Sequence, residues 1–142
     1  MSAIKFEDFN FEIIDIDLPG RPYMLIGKNT LSFSKVVAER MNYPAQILAY
    51  FDHSTQTFAI KGCKVGAHSS IRFSKSKTEQ KGRISLNSSA ISGLIKINMK
   101  EQWKENGRYE IEGIYISENN SMIFNLNDAK ELGEFKGGRA TK

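Results

Sequence analysis

The feature that most restricts the fold of this chain is a pair of apolar runs that occurs twice. Residues 47–51 form an apolar, aromatic run, and residues 58–60 form a second run after a polar turn. Residues 111–115 and 122–124 repeat the two runs 64 residues later. Two such runs joined by a short polar turn are typical of a β-hairpin, so the spacing predicts two related hairpins.

Each predicted hairpin follows a short strand and a short helix. Residues 31–33 and 84–86 both read apolar–Ser–apolar and lie 53 residues apart. Apolar side chains at helical spacing then predict helices over residues 35–41 and 90–95. Because the first strands are 53 residues apart and the hairpins 64, the second copy has 11 additional residues, placed around residues 97–107.

This duplication predicts a single domain over residues 1–142, in which two halves pack about a pseudo-twofold axis. The halves are residues 28–64 and 81–126, and neither can bury its hairpin alone. Residues 64–82 are rich in Ser, Lys and Gly and are predicted to be a basic linker or a mobile loop. Residues 133–142 are predicted to be a flexible tail. The expected fold class is mostly β with short helices (α+β).

Other segments carry weaker patterns. Residues 9–13 alternate apolar and polar, which predicts a strand, and residues 14–18 continue on the opposite phase, which predicts a bulge. Tyr23–Ile26 and residues 70–73 are predicted short strands. Residues 128–132 are predicted to form a short final helix.

Few residues could carry catalysis or hold a metal. Cys63 is the one cysteine, which excludes a disulfide framework and multi-cysteine zinc patterns. His53 is predicted in a turn and His68 in the linker, so each is expected to be an exposed turn residue. Asp15 and Asp17 could form a carboxylate pair, but a solvated strand edge is the better interpretation. No phosphate-loop, dinucleotide, nucleophile-elbow or zinc-protease motif occurs. The expectation is a protein without a cofactor that is not an enzyme.

No targeting signal is readable. The first eight residues are acidic and lack a basic segment followed by an apolar run. No apolar run approaches the ~20 residues that cross a bilayer. The expectation is a cytoplasmic protein that does not bind membranes.

The charge is unevenly distributed along the chain. The net charge is +4, but residues 61–108 contain eleven bases against three acids, while residues 1–20 and 109–134 are acidic. Such a basic stretch can attract a phosphate backbone. It could equally be a solvated linker followed by a solvated helix face.

Three aromatic residues lie in irregular segments, where they could contact a partner. These are Tyr43, Phe73 and Trp103. The remaining aromatic residues fall mainly on alternating strand positions, and core packing is the expectation for them.

Short motifs open both halves. The first half has Gly27-Lys28-Asn29 before its strand and Ser34-Lys35 at its helix, and the second begins Lys81-Gly82-Arg83-Ile84. These parts resemble the swapped-hairpin, AbrB-like family of transition-state regulators, whose members include MazE-type antitoxins and MraZ. The resemblance implies a small cradle-loop barrel built from two tandem strand–helix–strand–strand units. It also implies a transcriptional regulator that binds duplex DNA.

The residues predicted to bind DNA are basic. The resemblance points to the loops near the first strand of each copy, and therefore to Lys28, Lys35, Arg40, Lys81 and Arg83. The basic stretch next to the second copy adds Arg72, Lys75 and Lys77.

The alternative is a protein-interaction or assembly module without nucleic-acid binding, of a kind that a phage or mobile element could encode. It is supported by the absence of a helix-turn-helix pattern, the acidic segments and the number of aromatic residues. The chain could also form a homo-oligomer.

Overall fold

The computed structural model describes residues 5–10 and 20–134. The described residues form nine strands, two α-helices and three short 3₁₀ helices. The strands are β1 (Tyr23–Ile26), β2 (Leu31–Phe33), β3 (Gln46–Asp52), β4 (Thr57–Cys63), β5 (Ile71–Arg72), β6 (Ile84–Ser85), β7 (Gly107–Ile116), β8 (Ser121–Asn125) and β9 (Lys130–Glu134). The α-helices are α1 (Lys35–Arg40) and α2 (Ser89–Asn98), and the 3₁₀ helices are Phe6–Asp8, Ser117–Asn119 and Leu126–Asp128.

The strands pair antiparallel in one sheet that curls into half a barrel. The strand order is β5-β3-β4-β8-β7-β1-β2-β6, and β9 pairs with β7. The core lies against this sheet and includes residues from both predicted halves, such as Phe33, Phe58 and Phe124. The mostly β expectation with two short helices is confirmed.

Both predicted hairpins are confirmed. In the first, between β3 and β4, Phe51 lies opposite Phe58. In the second, between β7 and β8, Tyr115 lies opposite Met122. Successive side chains of a strand point to opposite faces of the sheet, so Phe58 and Ile60 of β4 both enter the core.

Both predicted helices are present and are limited by local backbone chemistry. Ser34 precedes α1, and the chain leaves the helical conformation at Asn42 and Tyr43, which have φ values of 63° and 52°. The side chain of Ser88 caps α2 by accepting a hydrogen bond from the backbone N–H of Ile91 at 3.2 Å. Helix α2 has ten residues, whereas α1 has six.

Strand β7 joins the two parts of the curled sheet. Residues near its start at Gly107 pair with β1 and β9, whereas the residues from Gly113 onward pair with β8. A Cβ atom at Gly113 would lie 2.8 Å from a ring carbon of Phe124 and 2.9 Å from the side chain of Met122. The N–H of Gly113 donates to the carbonyl oxygen of Pro22 at 2.9 Å. The strand can pass from one part to the other because this position carries no side chain.

Residues 73–83 connect β5 and β6, the outermost strands of the main sheet order. The ring of Phe73 packs edge-on against Phe33, with a centroid separation of 5.4 Å. Phe73 is only 7% exposed, so its prediction as a surface residue is wrong. An apolar ring of this size is more stable in the core than in water.

The predicted helix over residues 128–132 is wrong. Leu126–Asp128 form a 3₁₀ helix, and Lys130–Glu134 form β9 along the edge of β7. A one-turn helix is unstable without packing, whereas a strand satisfies the unpaired backbone groups of that edge. The first two residues of the predicted tail thus belong to a strand, and residues 135–142 lie outside the described residues.

The predicted N-terminal strand and bulge are only partly covered by the structure. Phe9 and Asn10 are not in a strand, and they follow the 3₁₀ helix Phe6–Asp8. The remaining positions, including Asp15 and Asp17, lie outside the described residues. No helix within residues 5–10 and 20–134 is long and apolar enough to cross a membrane.

We expect Gly113→Ala to destabilise the protein by about 1–3 kcal/mol, because the added methyl group overpacks the core at Phe124 and Met122. The matched control is Gly93→Ala, since a Cβ at Gly93 would meet no atom within 4 Å. At that position in α2, alanine should stabilise the protein by up to about 1 kcal/mol through its helix propensity. Urea unfolding of the two variants measures both effects, and equal stabilities would contradict the steric role of Gly113.

Candidate nucleic-acid interface

The first part of the basic stretch is held against the loop that follows α1. Arg72 lies opposite Gln46 in the sheet. The N–H of Phe73 donates to Ala45 at 2.8 Å, and the hydroxyl of Ser74 donates to the carbonyl of Pro44 at 2.7 Å. The backbone that carries Arg72 and Lys75 is therefore anchored by neutral hydrogen bonds, which leave the basic groups available for another partner.

Residues 75–82, here called the Gln80 loop, carry three of the predicted DNA-binding lysines. The Gln80 side chain is buried, accepts a hydrogen bond from the N–H of Lys75 at 2.8 Å and donates to the carbonyl of Gly82 at 2.9 Å. One amide thus ties the two ends of the loop together. Lys75, Lys77 and Lys81 are all exposed on it.

The turn between β1 and β2 brings Lys28 close to the start of the second predicted half. The turn closes through a 3.0 Å hydrogen bond from the N–H of Gly27 to the carbonyl of Thr30. Two cavities, each of about 320 Å³, share Asn29 and Asn87 among their lining residues. Arg83 lines the first and Lys28 lines the second, so these two predicted residues lie in the same part of the surface.

Two further bases at this turn were not predicted as site residues. The side chain of Arg108 crosses Gly27, where a Cβ atom would lie 3.5 Å from the Arg108 Cγ. The Lys96 ammonium donates to the carbonyl oxygen of Lys28. Burial lowers the pKa of Lys96, and the nearby charge of Lys28 lowers it further. Both bases are far from Lys28 in sequence, and the strand pairing and α2 bring them there.

Lys35 and Arg40 lie on α1, away from the β1–β2 turn. Leu31 begins β2 next to the β1–β2 turn, and Lys35 begins α1 just after the other end of that strand. The three residues of β2 span about 10 Å at the rise of an extended strand. Lys35 is half-buried, whereas Arg40 is exposed in the last turn. Arg40 lies in the last turn of α1, and the loop that follows contains Pro44, whose carbonyl accepts from the Ser74 hydroxyl.

The predicted bases form no salt bridge with an acid among the described residues. Across the described ranges, the salt bridges run from Arg21 to Glu110 and Glu112, and from Lys104 to Glu131. None of them uses any of the eight predicted DNA-binding residues. Seven of the eight are exposed, so their charges are available to an anionic partner.

The remaining candidates for reactive side chains include Cys63 and His53. Cys63 is a free, half-buried thiol at the end of β4. His53 contacts the Asn98 side chain at 3.0 Å and packs edge-on against Phe51. Within the part of the chain that the structure describes, no group of three His, Cys, Asp or Glu side chains could hold a metal ion.

Comparison of the chain with protein-family models, with curated proteins and with solved structures finds no match.

We expect Gln80→Ala to release the Gln80 loop without changing its charge. The substitution leaves the N–H of Lys75 and the carbonyl of Gly82 without their partner and should cost about 1–3 kcal/mol. Limited trypsin digestion should then cleave after Lys77 or Lys81 faster than in the parent protein. Ser76→Ala, which removes the exposed hydroxyl contacts to Thr78 and Glu79, is the control. Unchanged cleavage in Gln80→Ala would contradict the role of this amide.

Proposed function

We propose that this protein binds duplex DNA as a regulator of the AbrB-like type, through Lys28, Arg83 and the bases of residues 72–81. The observation that carries the proposal is the exposed set of bases without carboxylate partners in the described structure. Counterion release from DNA favours binding by such a set, and an internal ion pair would reduce that gain. Because the backbone of residues 72–83 is already anchored, less conformational entropy is lost when this segment binds a partner.

The proposal includes two tandem units, and the hairpin registers support this part. Ala49 lies opposite Ile60 in the first hairpin, and Gly113 lies opposite Phe124 in the second. Both members of the second pair are 64 residues after those of the first. The pairing pattern of one hairpin thus corresponds to that of the other, although their side chains differ.

The pairing between the two units also fits a pseudo-twofold axis. Ala59 of β4 lies opposite Ile123 of β8, its counterpart at the 64-residue spacing. Ser32 of β2 lies opposite Ser85 of β6, its counterpart at the 53-residue spacing. A residue that pairs with its own counterpart lies at a twofold axis between antiparallel strands. At the same spacing of 53, Lys28 corresponds to Lys81, which supports two similar contacts with a duplex.

We expect Lys75→Glu combined with Lys77→Glu to weaken binding to duplex DNA. The slope of log affinity against log salt should decrease by about two, because each lost phosphate contact removes roughly one unit. Fluorescence anisotropy of a labelled duplex at several salt concentrations measures the slope. Thermal stability should change little, since both side chains are exposed.

The matched control is Lys5→Glu combined with Lys130→Glu, which changes the net charge equally at exposed positions outside residues 72–83. A slope that decreases equally in both variants would reject the Gln80 loop as the contact and leave only an effect of net charge. No measurable binding by the parent protein at low salt would reject DNA binding altogether.

A protein-interaction module is the second candidate, and an apolar row on the outer face of the sheet favours it. Tyr50, Ala59, Ile123 and Ile114 lie side by side across β3, β4, β8 and β7. The two ends of the row, Tyr50 and Ile114, are 45% and 62% exposed. Exposed apolar residues in a continuous row are typical of a contact surface.

Sedimentation of the parent protein and of Ile114→Glu tests this second candidate. A concentration-dependent oligomer that dissociates in Ile114→Glu would favour it.

A further inference from the structure

A cavity of about 380 Å³ lies between the end of α2, the turn that follows it, and strands β1 and β7. Its apolar lining comes from Ile26, Ile97, Trp103 and Tyr109, and its basic lining from lysines that include Lys96 and Lys100. The volume is at the lower end of the ~300–1,000 Å³ range of ligand pockets. A cavity of this volume can hold one ring system with one attached polar group.

The aromatic wall of the cavity is held in place by its neighbours. The rings of Trp103 and Tyr109 are stacked, with centroids 4.4 Å apart and planes at 11°. The Tyr109 hydroxyl accepts a hydrogen bond from the N–H of Lys104 at 2.7 Å. A Cβ atom at Gly107 would lie 2.7 Å from the Tyr109 ring, so the glycine provides the space that the ring occupies. A wall of fixed rings can stack on a planar ligand with little loss of side-chain entropy.

The basic side of the cavity carries more positive than negative charge. Lys96, Lys100 and Lys104 line it, against the single acid Glu105. The Lys104 ammonium is paired with Glu131 at 3.0 Å. Lys100 is exposed and forms no salt bridge within the described residues, so it remains available to an anion. Burial and the neighbouring charge of Lys28 lower the pKa of Lys96, and a bound anion would favour the charged form of this lysine.

We propose that this cavity binds a small planar aromatic anion, whose ring lies among Ile97, Trp103 and Tyr109 and whose phosphate or carboxylate contacts Lys96 and Lys100. The apolar wall supplies the binding energy of a ring, and the lysines select an anionic substituent over a neutral one. This site shares Lys96 with the surface around Lys28 but uses no residue of the Gln80 loop.

Trp103 is the only tryptophan of the chain, so its fluorescence reports occupation of the cavity directly. The probes are adenosine monophosphate and phenyl phosphate, with adenosine and phenol as neutral analogues and inorganic phosphate as the analogue without a ring. We expect at least one anionic probe to change the fluorescence saturably and its neutral analogue to bind at least tenfold more weakly. Inorganic phosphate should give no comparable saturable change. If neither anionic probe saturates, or if the neutral analogues bind equally well, the proposal is wrong.

The variant Lys100→Gln removes one charge at an exposed position and should fold normally. We expect it to weaken the anionic probe about tenfold and to leave the neutral analogue unchanged. Lys75→Gln, on the Gln80 loop, is the matched control and should not alter probe binding. Equal affinity of parent and Lys100→Gln for the anionic probe would overturn the assigned contact. Loss of DNA binding in Lys75→Glu combined with Lys77→Glu, with probe binding retained, would show that the two sites fail independently.

Discussion

The close contact of Gly113 with Phe124 and Met122 is the constraint on which the rest of the structure depends. At this point β7 leaves its pairing with β1 and begins its pairing with β8, so the strand belongs to both parts of the sheet. A side chain there would separate β7 from the core that both parts share. Because the sheet curls around this junction, the ring of Phe73, beside one outermost strand, reaches Phe33 near the other. The path of residues 73–83 between β5 and β6 therefore depends on the packing of Phe73 against Phe33.

The two proposed sites use the same physical arrangement, in which neutral groups hold the backbone and charged groups stay exposed. The amide of Gln80 ties residues 75–82 together, and the hydroxyl of Ser74 anchors the chain beside Pro44. The aromatic stack of Trp103 and Tyr109 similarly positions the turn that follows α2 and carries the exposed Lys100. Neutral anchors have an advantage here, because an internal ion pair would cancel the charge that an anionic partner needs. The Gln80 loop can therefore be ordered while its lysines form no salt bridge within the described residues.

Sequence patterns predict those parts of the fold that depend on local periodicity. Short apolar runs that recur 64 residues apart identify β3, β4 and β8, and apolar side chains at helical spacing identify α1 and α2, because each signal lies within a few neighbouring residues. The pattern fails at Lys130–Glu134, where five residues with little periodicity form a strand only because the edge of β7 lies beside them. It fails also at Phe73, whose irregular flanks resemble a surface loop although the ring fills space beside Phe33.

The residues of the candidate interface also divide into those that the sequence predicts and those that only the folded structure brings together. The amino-acid sequence by itself determined the supply of bases between residues 61 and 108, the two hairpins and the scarcity of reactive side chains. Only the tertiary structure decided that Lys96 and Arg108 join Lys28, that Lys35 does not, and that Trp103 lines a cavity rather than a flat surface. The physical reason is the distance along the sequence over which each effect acts. Composition and periodicity act over neighbouring residues, whereas Lys96 contacts Lys28 and Arg108 contacts Gly27 across 68 and 81 positions of the sequence, contacts that depend on how the sheet curls.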